Sequence, residues 1–325
     1  MLFAILVCVG YQLDNIPRTD DEYLGEQVYW LLKAGKAKSN LGYGDLGYDH
    51  YQSMYHKLFV YCGYLSSYIF GWSLYALHLV SYLCFIVFVF LLNYYVKTLR
   101  PSSQSNLQWM VLVLLLFNQD LLYSIGTFRP EIMVMMLGFA AYISLERYCR
   151  SGSYKHLSLS AICAGLCMFA HLNGLIFIMA GCGLLLFQRQ IKAAIFYGLI
   201  ATVAFLPYFA DVLYYADMAY FFRQFAADPV VHSGTSHWYG FLVRIAEEQI
   251  RFLFTEKQIV LTATLVLILL FTYRTIKAKH RSLLIYTLLL VLGLALVCPS
   301  KSTKYMVLYL PFLYIIIVLG WLTLE

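Results

Sequence analysis

Long apolar runs separated by short polar stretches dominate the pattern of this 325-residue chain. A helix needs about 20 mostly apolar residues to cross the hydrocarbon core of a bilayer. The pattern predicts a first apolar segment at 2–12, followed by spans at 73–96, 107–124, 130–147, 156–170, 173–188, 193–210, 255–273, 283–298 and 305–322. We therefore predict an all-α polytopic membrane protein with about ten transmembrane helices.

Two longer polar stretches interrupt this pattern. Residues 13–56 are rich in Gly, Tyr and Asp, and within them residues 22–34 carry their apolar side chains on one side. That spacing predicts an amphipathic helix in the membrane interface, and residues 57–71 predict a half-buried helix leading into the next span. Residues 209–254 form the other long polar stretch. We interpret 1–325 as one transmembrane domain, with 13–56 and 209–254 as its two large extracytoplasmic segments.

Composition indicates the class of protein, and the distribution of charge indicates how its loops are oriented across the membrane. Only 12% of the residues are charged and 62% are hydrophobic, which excludes a soluble globular protein of this length. One set of alternating loops carries 11 of the 23 Lys and Arg residues and only two of the 17 acids. The positive-inside rule assigns that set to the cytoplasm, so the two long polar stretches are predicted to face the extracytoplasmic side.

Three consecutive carboxylates, Asp20, Asp21 and Glu22, follow the first apolar segment. Ionisable groups beside a membrane are costly and tend to be functional. They could bind a divalent cation, relay protons, or act as a general base towards a hydroxyl. Acids at the start of the predicted interfacial helix also complement the helix dipole, so an N-terminal cap is the structural alternative.

Two further groups of charged residues fall on the same predicted face. Arg129, Pro130 and Glu131 open a span, where Pro is a helix-start signal. Arg129 could hold a phosphate or pair with an acid. Lys301 and Lys304 precede the last span, and they are either snorkelling anchors or contacts to an anionic lipid head group.

The sequence also limits the classes of substrate. It contains no P-loop, no glycine-rich dinucleotide motif after a strand and no nucleophile elbow. A nucleotide-handling domain needs soluble residues that the chain lacks, and nucleic acid is not expected as a partner. A lipid-linked donor is therefore favoured. The alternative is a transporter or flippase for an anionic lipid or lipid-linked sugar, although transport usually places ionisable residues near the midplane of the bilayer.

Four stretches, in this order, resemble those of the GT-C superfamily of membrane glycosyltransferases. The resemblance is nearest to the branch of protein mannosyltransferases and aminoarabinose transferases. The stretches are TDDEYLGEQVYWLLKAG at 19–35, YHKLFVYCGYLSSYIFGWSLYALHLVSYL at 55–83, SIGTFRPEIMVMMLGFAAYISLERY at 124–148 and KSTKYMVLYLPFLY at 301–314. The resemblance implies an inverting glycosyltransferase that moves a sugar from a polyprenyl-phosphate donor to an acceptor hydroxyl.

The resemblance also implies roles for individual residues. Asp21 would be the catalytic base, with Asp20 or Glu22 as alternatives. The implied substrate-binding residues are Arg129, Glu131, Lys57, Lys301, Lys304 and Tyr305. The family often has Lys-Pro-Pro or His-Pro-Pro where this chain has His56-Lys57-Leu58, and often Arg where this chain has His78. These departures leave the role of Lys57 open.

Partners and location follow from the same resemblance. The acceptor would be an extracytoplasmic glycan, lipid or protein, and membrane lipids would surround the spans. The expected location is the bacterial inner membrane, with the active face extracytoplasmic. No cofactor is expected with certainty, and a divalent cation is an open alternative.

Overall fold

The computed structural model describes residues 19–41, 46–99, 104–227 and 240–324. Within these ranges the regular structure is entirely helical, without a strand, as the all-α prediction requires. The α-helices are α1 (Thr19–Ala34), α2 (Lys57–Phe70), α3 (Leu74–Leu99), α4 (Gln104–Leu116), α5 (Gln119–Ile125), α6 (Glu131–Ser151), α7 (Tyr154–Ala170), α8 (Leu175–Phe187), α9 (Ile191–Phe205), α10 (Ala210–Tyr215), α11 (Met218–Ala227), α12 (Gly240–Glu247), α13 (Gln249–Leu253), α14 (Glu256–Val297) and α15 (Leu310–Leu324). The apolar segment at 2–12 lies outside the described residues.

Several described helices are long and apolar enough to cross a membrane. They are α3, α6, α14 and the continuous helical segment Ile191–Tyr215. The bent pair of α4 and α5 is a fifth candidate. The helices α7, Leu172–Phe187 and α15 are apolar but shorter. The chain is therefore an integral membrane protein, and its helices occupy the positions of the predicted spans that the structure describes.

The predicted amphipathic helix at 22–34 is present as the longer helix α1. Its inner side is buried, with Leu24, Gln27 and Val28 enclosed, whereas Glu22 and Lys33 are exposed. Helix α1 packs on α2 and α3. This packing holds the first turn of α1, which carries the acid triplet, against the helices that span the membrane.

The predicted span at 107–124 is wrong as a single straight helix. Helices α4 and α5 meet at 80° across Phe117 and Asn118. Asn118 has an extended backbone, and its side-chain oxygen accepts the N–H of Leu121 at 3.0 Å, which caps α5. A residue that caps a new helix does not continue the preceding one, so the chain turns at this point.

Helix α14 contains the two predicted spans 255–273 and 283–298, interrupted at His280. A straight helix of this length would be ~63 Å long. Arg251, just before α14, nevertheless donates to the carbonyl oxygens of Ser300 and Ser302, just after it. The two ends of α14 therefore lie together, and the helix folds back at His280 into a hairpin with two arms.

Helix α15 is enclosed along most of its length by these arms and by the central helix α6. Residues 310–320 are all buried. Gly320 allows the first arm to approach closely, because a Cβ at this position would lie 2.1 Å from Cγ2 of Ile268. The aromatic ring of Phe312 packs against Phe139 and Tyr142 of α6. The last helix is thus part of the core.

The loops lie at two ends of the molecule. At one end, which we call the basic end, Gln188 contacts Ser282 at 3.5 Å, and Arg281 lies over the ring of Phe187. These contacts join the loop after α8 to the turn between the two arms of the α14 hairpin. The opposite end, which we call the site end, carries the first turn of α1 and the open end of the hairpin. Two of the basic loops thus lie together, and the side of the membrane that each end faces stays a prediction.

Candidate functional site

Asp21 is the enclosed member of the acid triplet, with 2% of its surface exposed. Its Oδ1 accepts the N–H of Phe128 at 2.6 Å and lies 3.0 Å from Nε2 of His78. Phe128 belongs to the loop before α6, and His78 belongs to α3. Two elements distant in sequence therefore fix this carboxylate, and a fixed orientation is what a general base towards a bound reactant requires.

The other two members of the triplet differ from Asp21. Glu22 is exposed on α1, and the side chain of Asp20 lies outside the described residues. All three residues occupy the first turn of α1, where carboxylates complement the helix dipole. The capping interpretation and a chemical role for Asp21 are therefore compatible.

Arg129 forms a two-pronged ion pair with Glu131. Its Nε donates to Oε2 at 2.9 Å, its second nitrogen donates to Oε1, and both side chains are buried. Helix α6 begins at Glu131 directly after Pro130, as the helix-start signal predicts. Bidentate pairing fixes the guanidinium plane. Of the two interactions predicted for Arg129, the structure contains the ion pair with an acid. This pair lies directly after Phe128, whose N–H binds Asp21.

Lys304 and Arg129 converge on the ring of Tyr123. The Lys304 Nζ lies 4.8 Å and the Arg129 Cζ 5.6 Å from the ring centroid, within the range of cation–π contacts. On the same helix, Asp120 accepts a hydrogen bond of 3.4 Å from Thr303 and interacts electrostatically with both cations. The structure therefore brings together two cations from separate sequence motifs.

Tyr305 borders a pair of stacked imidazoles. The rings of His56 and His171 stack with centroids 4.3 Å apart, and Tyr305 meets His171 edge-on at 5.8 Å. The Nδ1 of His171 accepts the N–H of Asn173 at 2.9 Å. Burial and the nearby Arg129 lower the pKa of His171 to about 3, so this imidazole is neutral at neutral pH.

Lys57 is bound to a different part of the fold. Its Nζ donates to the carbonyl oxygen of Tyr208 at 2.7 Å and forms an ion pair with Asp211. The hydroxyl of Tyr55 donates to the other oxygen of Asp211 at 2.9 Å. Lys57 is fully buried, and burial lowers its pKa to about 8 in spite of Asp211. These contacts join α2 to the segment after α9, and the substrate-binding role of Lys57 stays a prediction.

Lys301 belongs to a buried ion cluster at the open end of the α14 hairpin. Its Nζ donates to the carbonyl oxygen of Ala295 at 3.0 Å and lies 3.3 Å from Glu248. Arg251 donates twice to Glu248, at 2.6 and 2.7 Å. The cluster fixes the loop that carries Lys304, and contact of Lys301 with a lipid head group stays a prediction.

The partners of the candidate residues that were not among the predicted site residues include His78, Asp211, Glu248 and Arg251. His78 carries a detectable signal, since an ionisable residue inside an apolar span is unusual. Glu248 and Arg251 have the spacing of a local helix pair, which indicates their mutual contact. Sequence spacing does not indicate that Arg251 reaches across to the loop after α14, or that Asp211 reaches Lys57.

The prediction of a divalent cation stays open. Within the described ranges, no group of three or more His, Cys, Asp and Glu side chains has the arrangement of a metal site. A cation held with the help of a substrate phosphate would need fewer protein ligands.

No family model and no curated protein matches the sequence. The structure is similar to the crystal structure of ArnT from Cupriavidus metallidurans bound to undecaprenyl phosphate, with a TM-score of 0.61 and 10% sequence identity. The alignment covers 98% of this chain and 58% of that chain, so this chain spans a little over half the length of ArnT. At this identity the likeness shows the fold alone. The chain has an ArnT-like membrane fold.

Proposed function

We propose that the chain is an inverting glycosyltransferase that uses a polyprenyl-phosphate sugar and glycosylates a hydroxyl at the site end. The observation that carries this proposal is the enclosed carboxylate of Asp21, which accepts the backbone N–H of Phe128, the residue directly before Arg129. The likeness to ArnT, whose structure contains undecaprenyl phosphate, supports a polyprenyl lipid as the donor carrier. The acceptor class is a glycan, lipid or protein hydroxyl.

The proposed chemistry is a single displacement. The acceptor oxygen bonds to the anomeric carbon as the bond between that carbon and the phosphate oxygen breaks, and Asp21 takes the hydroxyl proton. The electron pair leaves on the polyprenyl phosphate. Arg129 and Lys304, which both contact the ring of Tyr123, would stabilise this charge, since preorganised cations are most effective in a site shielded from water. Attack opposite the leaving group inverts the anomeric centre.

Replacing Asp21 with Asn tests the proposal, because Asn keeps the acceptor for the Phe128 N–H and loses the base. General-base catalysis contributes about 10²–10⁴-fold, so transfer should fall by that factor. The matched control is Glu22→Gln, which removes the neighbouring exposed carboxylate. The assay incubates the reconstituted protein with a panel of polyprenyl-phosphate sugars and measures release of polyprenyl phosphate.

Two results would contradict the proposal. The first is near-normal turnover of the Asp21→Asn protein. The second is a wild-type protein that releases no polyprenyl phosphate from any donor but moves a labelled polyprenyl-phosphate sugar across the bilayer, which would favour the transporter alternative.

A further inference from the structure

A pocket at the basic end lies between the turn that joins α6 to α7 and the turn that joins α8 to α9. Its volume is about 560 Å³, within the usual range of small-molecule sites. The rings of Tyr148 and Tyr154 meet edge-on at 5.9 Å in its lining, and Arg189 and Lys192 provide its charged side chains. Of the described residues, no Asp or Glu lines the pocket. The lining therefore combines aromatic surface with an excess of positive charge.

Both cations of the pocket lack an acid partner. Within the part of the chain that the structure describes, neither Arg189 nor Lys192 forms an ion pair or a side-chain hydrogen bond. Glu146, which belongs to the last turns of α6, pairs with Arg150 at 2.6 Å instead. Two like charges that share a pocket without a carboxylate repel each other, and an anion bound between them would stabilise both.

Each cation also occupies a position where a different residue would be more stable. Helix α8 ends in a Schellman motif, in which the N–H of Gln190 donates to the carbonyl oxygen of Leu185 at 2.9 Å. Arg189 takes the left-handed position of this motif, with a φ of 61°, which glycine adopts without steric cost. Lys192 stands in the first turn of α9, where an acid rather than a cation complements the helix dipole. Side chains kept at positions of local cost indicate a function that needs their charge.

An apolar stripe runs from the pocket along α9. Ile191, Ile195 and Leu199 recur at four-residue spacing on one face of the helix, and they are 61%, 60% and 63% exposed. Ile191 also lines the pocket, so the stripe begins at the edge of the pocket. Helix α9 belongs to the segment Ile191–Tyr215, which is long and apolar enough to cross a membrane. The cationic pocket is therefore continuous with a surface that faces the hydrocarbon of the bilayer.

We propose that this pocket binds the phosphodiester head group of an anionic phospholipid, whose acyl chains lie along the stripe of α9. The planar guanidinium of Arg189 suits two phosphate oxygens, and the ammonium of Lys192 adds a point charge. A lipid matches both the cations and the stripe, whereas a soluble phosphate ester would match the cations alone. Basic pockets between membrane helices are suited to such head groups. This site lies at the end opposite Asp21 and does not depend on the proposed sugar transfer.

Native mass spectrometry of the full chain in detergent tests this site. The protein is titrated with phosphatidylglycerol, or with phosphatidylcholine of the same acyl chains, and the Kd of the first bound lipid is measured. The variants are Arg189→Gly, which suits the left-handed backbone, and Lys192→Gln. Lys277→Gln is the matched control, because Lys277 is exposed on α14 close to His280, at the same end but outside the pocket.

We expect the wild type to bind phosphatidylglycerol more tightly than phosphatidylcholine, because only the former carries a net negative charge. A basic residue near an anionic head group contributes about fivefold in affinity. Arg189→Gly and Lys192→Gln should therefore each raise the Kd for phosphatidylglycerol by about fivefold, and the double variant should lose the preference over phosphatidylcholine. Lys277→Gln should bind as the wild type does. Without lipid, the Tm of Arg189→Gly should equal or exceed that of the wild type, because glycine removes the steric cost of the positive φ.

Three results overturn the proposed site. One is an unchanged Kd for phosphatidylglycerol in the double variant. Another is an equal loss of affinity in Lys277→Gln, which would show a general attraction to the charge of this end. The third is displacement of the lipid by glycerol 3-phosphate as effectively as by phosphatidylglycerol, which would assign the pocket to a soluble phosphate ester. A lipid-free Tm of Arg189→Gly below that of the wild type would refute the argument from its backbone.

Discussion

Replacing Lys57 with Met tests whether the buried ammonium is structural or belongs to the substrate site. The ammonium is fully buried, and its partner Asp211 has a side chain only 11% exposed. Met has a similar length and leaves the carboxylate without its cation. Removing one partner of a buried ion pair costs about 3–5 kcal/mol, because an uncompensated charge stays in a poorly solvated place.

The assay is thermal unfolding of the protein in detergent, followed by tryptophan fluorescence. A loss of about 3 kcal/mol lowers Tm by roughly 4–5 °C for a chain of 325 residues. The double variant Lys57→Met, Asp211→Asn removes both charges and keeps an acceptor for the hydroxyl of Tyr55. It should therefore recover most of the lost Tm, since neutral replacement of a buried pair is often close to neutral for stability.

One pattern of results would refute this reasoning. If Lys57→Met unfolds at the wild-type temperature but no longer binds the donor lipid, the ion pair contributes little to stability. Lys57 would then act on the substrate, as the family resemblance implies. A Tm that falls equally in the single and double variants would also refute it, because the loss would not depend on the unpaired carboxylate of Asp211.

Three further predictions concern the site and its support. His78→Leu removes one partner of Asp21, and because hydrogen bonds to charged groups contribute about 1.5–3 kcal/mol, turnover should fall roughly 10–100-fold, unless the Phe128 N–H alone orients the carboxylate. His171 has a folded pKa of about 3, so between there and its ordinary value of 6.5 the unfolded chain binds a proton that the folded chain does not. Stability should therefore fall as the pH drops through that window, and acid titration of His171→Gln should show a shallower fall. Gly165→Ala places a Cβ 2.3 Å from the carbonyl oxygen of Ala201, so Tm should drop by an amount equivalent to about 1–3 kcal/mol, and an unchanged Tm would contradict this packing.

The hydrophobic pattern predicted the helices and the break at His280, but it did not predict the bend at Asn118. Each described apolar run became a helix, and the start of α6 at Glu131 followed from Pro130 before it. The bend at Asn118 depends on its side chain, which accepts the backbone N–H of Leu121 and so begins a new helix. The apolar run through this position does not reveal that cap. The fold at His280 occurs between two predicted spans and was therefore expected from their lengths.

The candidate site was predictable in residue type and less so in contacts. Motif order identified Arg129 and Lys304, but their convergence on Tyr123 depends on the direction that α5 takes after the bend. The pairing of Lys57 with Asp211 joins residues far apart in the chain, and a single sequence gives no distance between them. The sequence also does not tell which acid of the triplet is enclosed. In the structure Asp21 is buried and Glu22 is exposed, since neighbours in the first turn of a helix point to different sides.

The ion cluster that closes the α14 hairpin has a consequence for biogenesis. Asp21 and Arg129 belong to the part of the chain that leaves the ribosome first, whereas Lys304 is fixed only after Arg251 binds the carbonyl groups beyond the second arm. Because both arms must be inserted before that contact forms, the cationic half of the site is completed last. A nascent chain would therefore display the carboxylate early and gain its full complement of charges only when the hairpin closes.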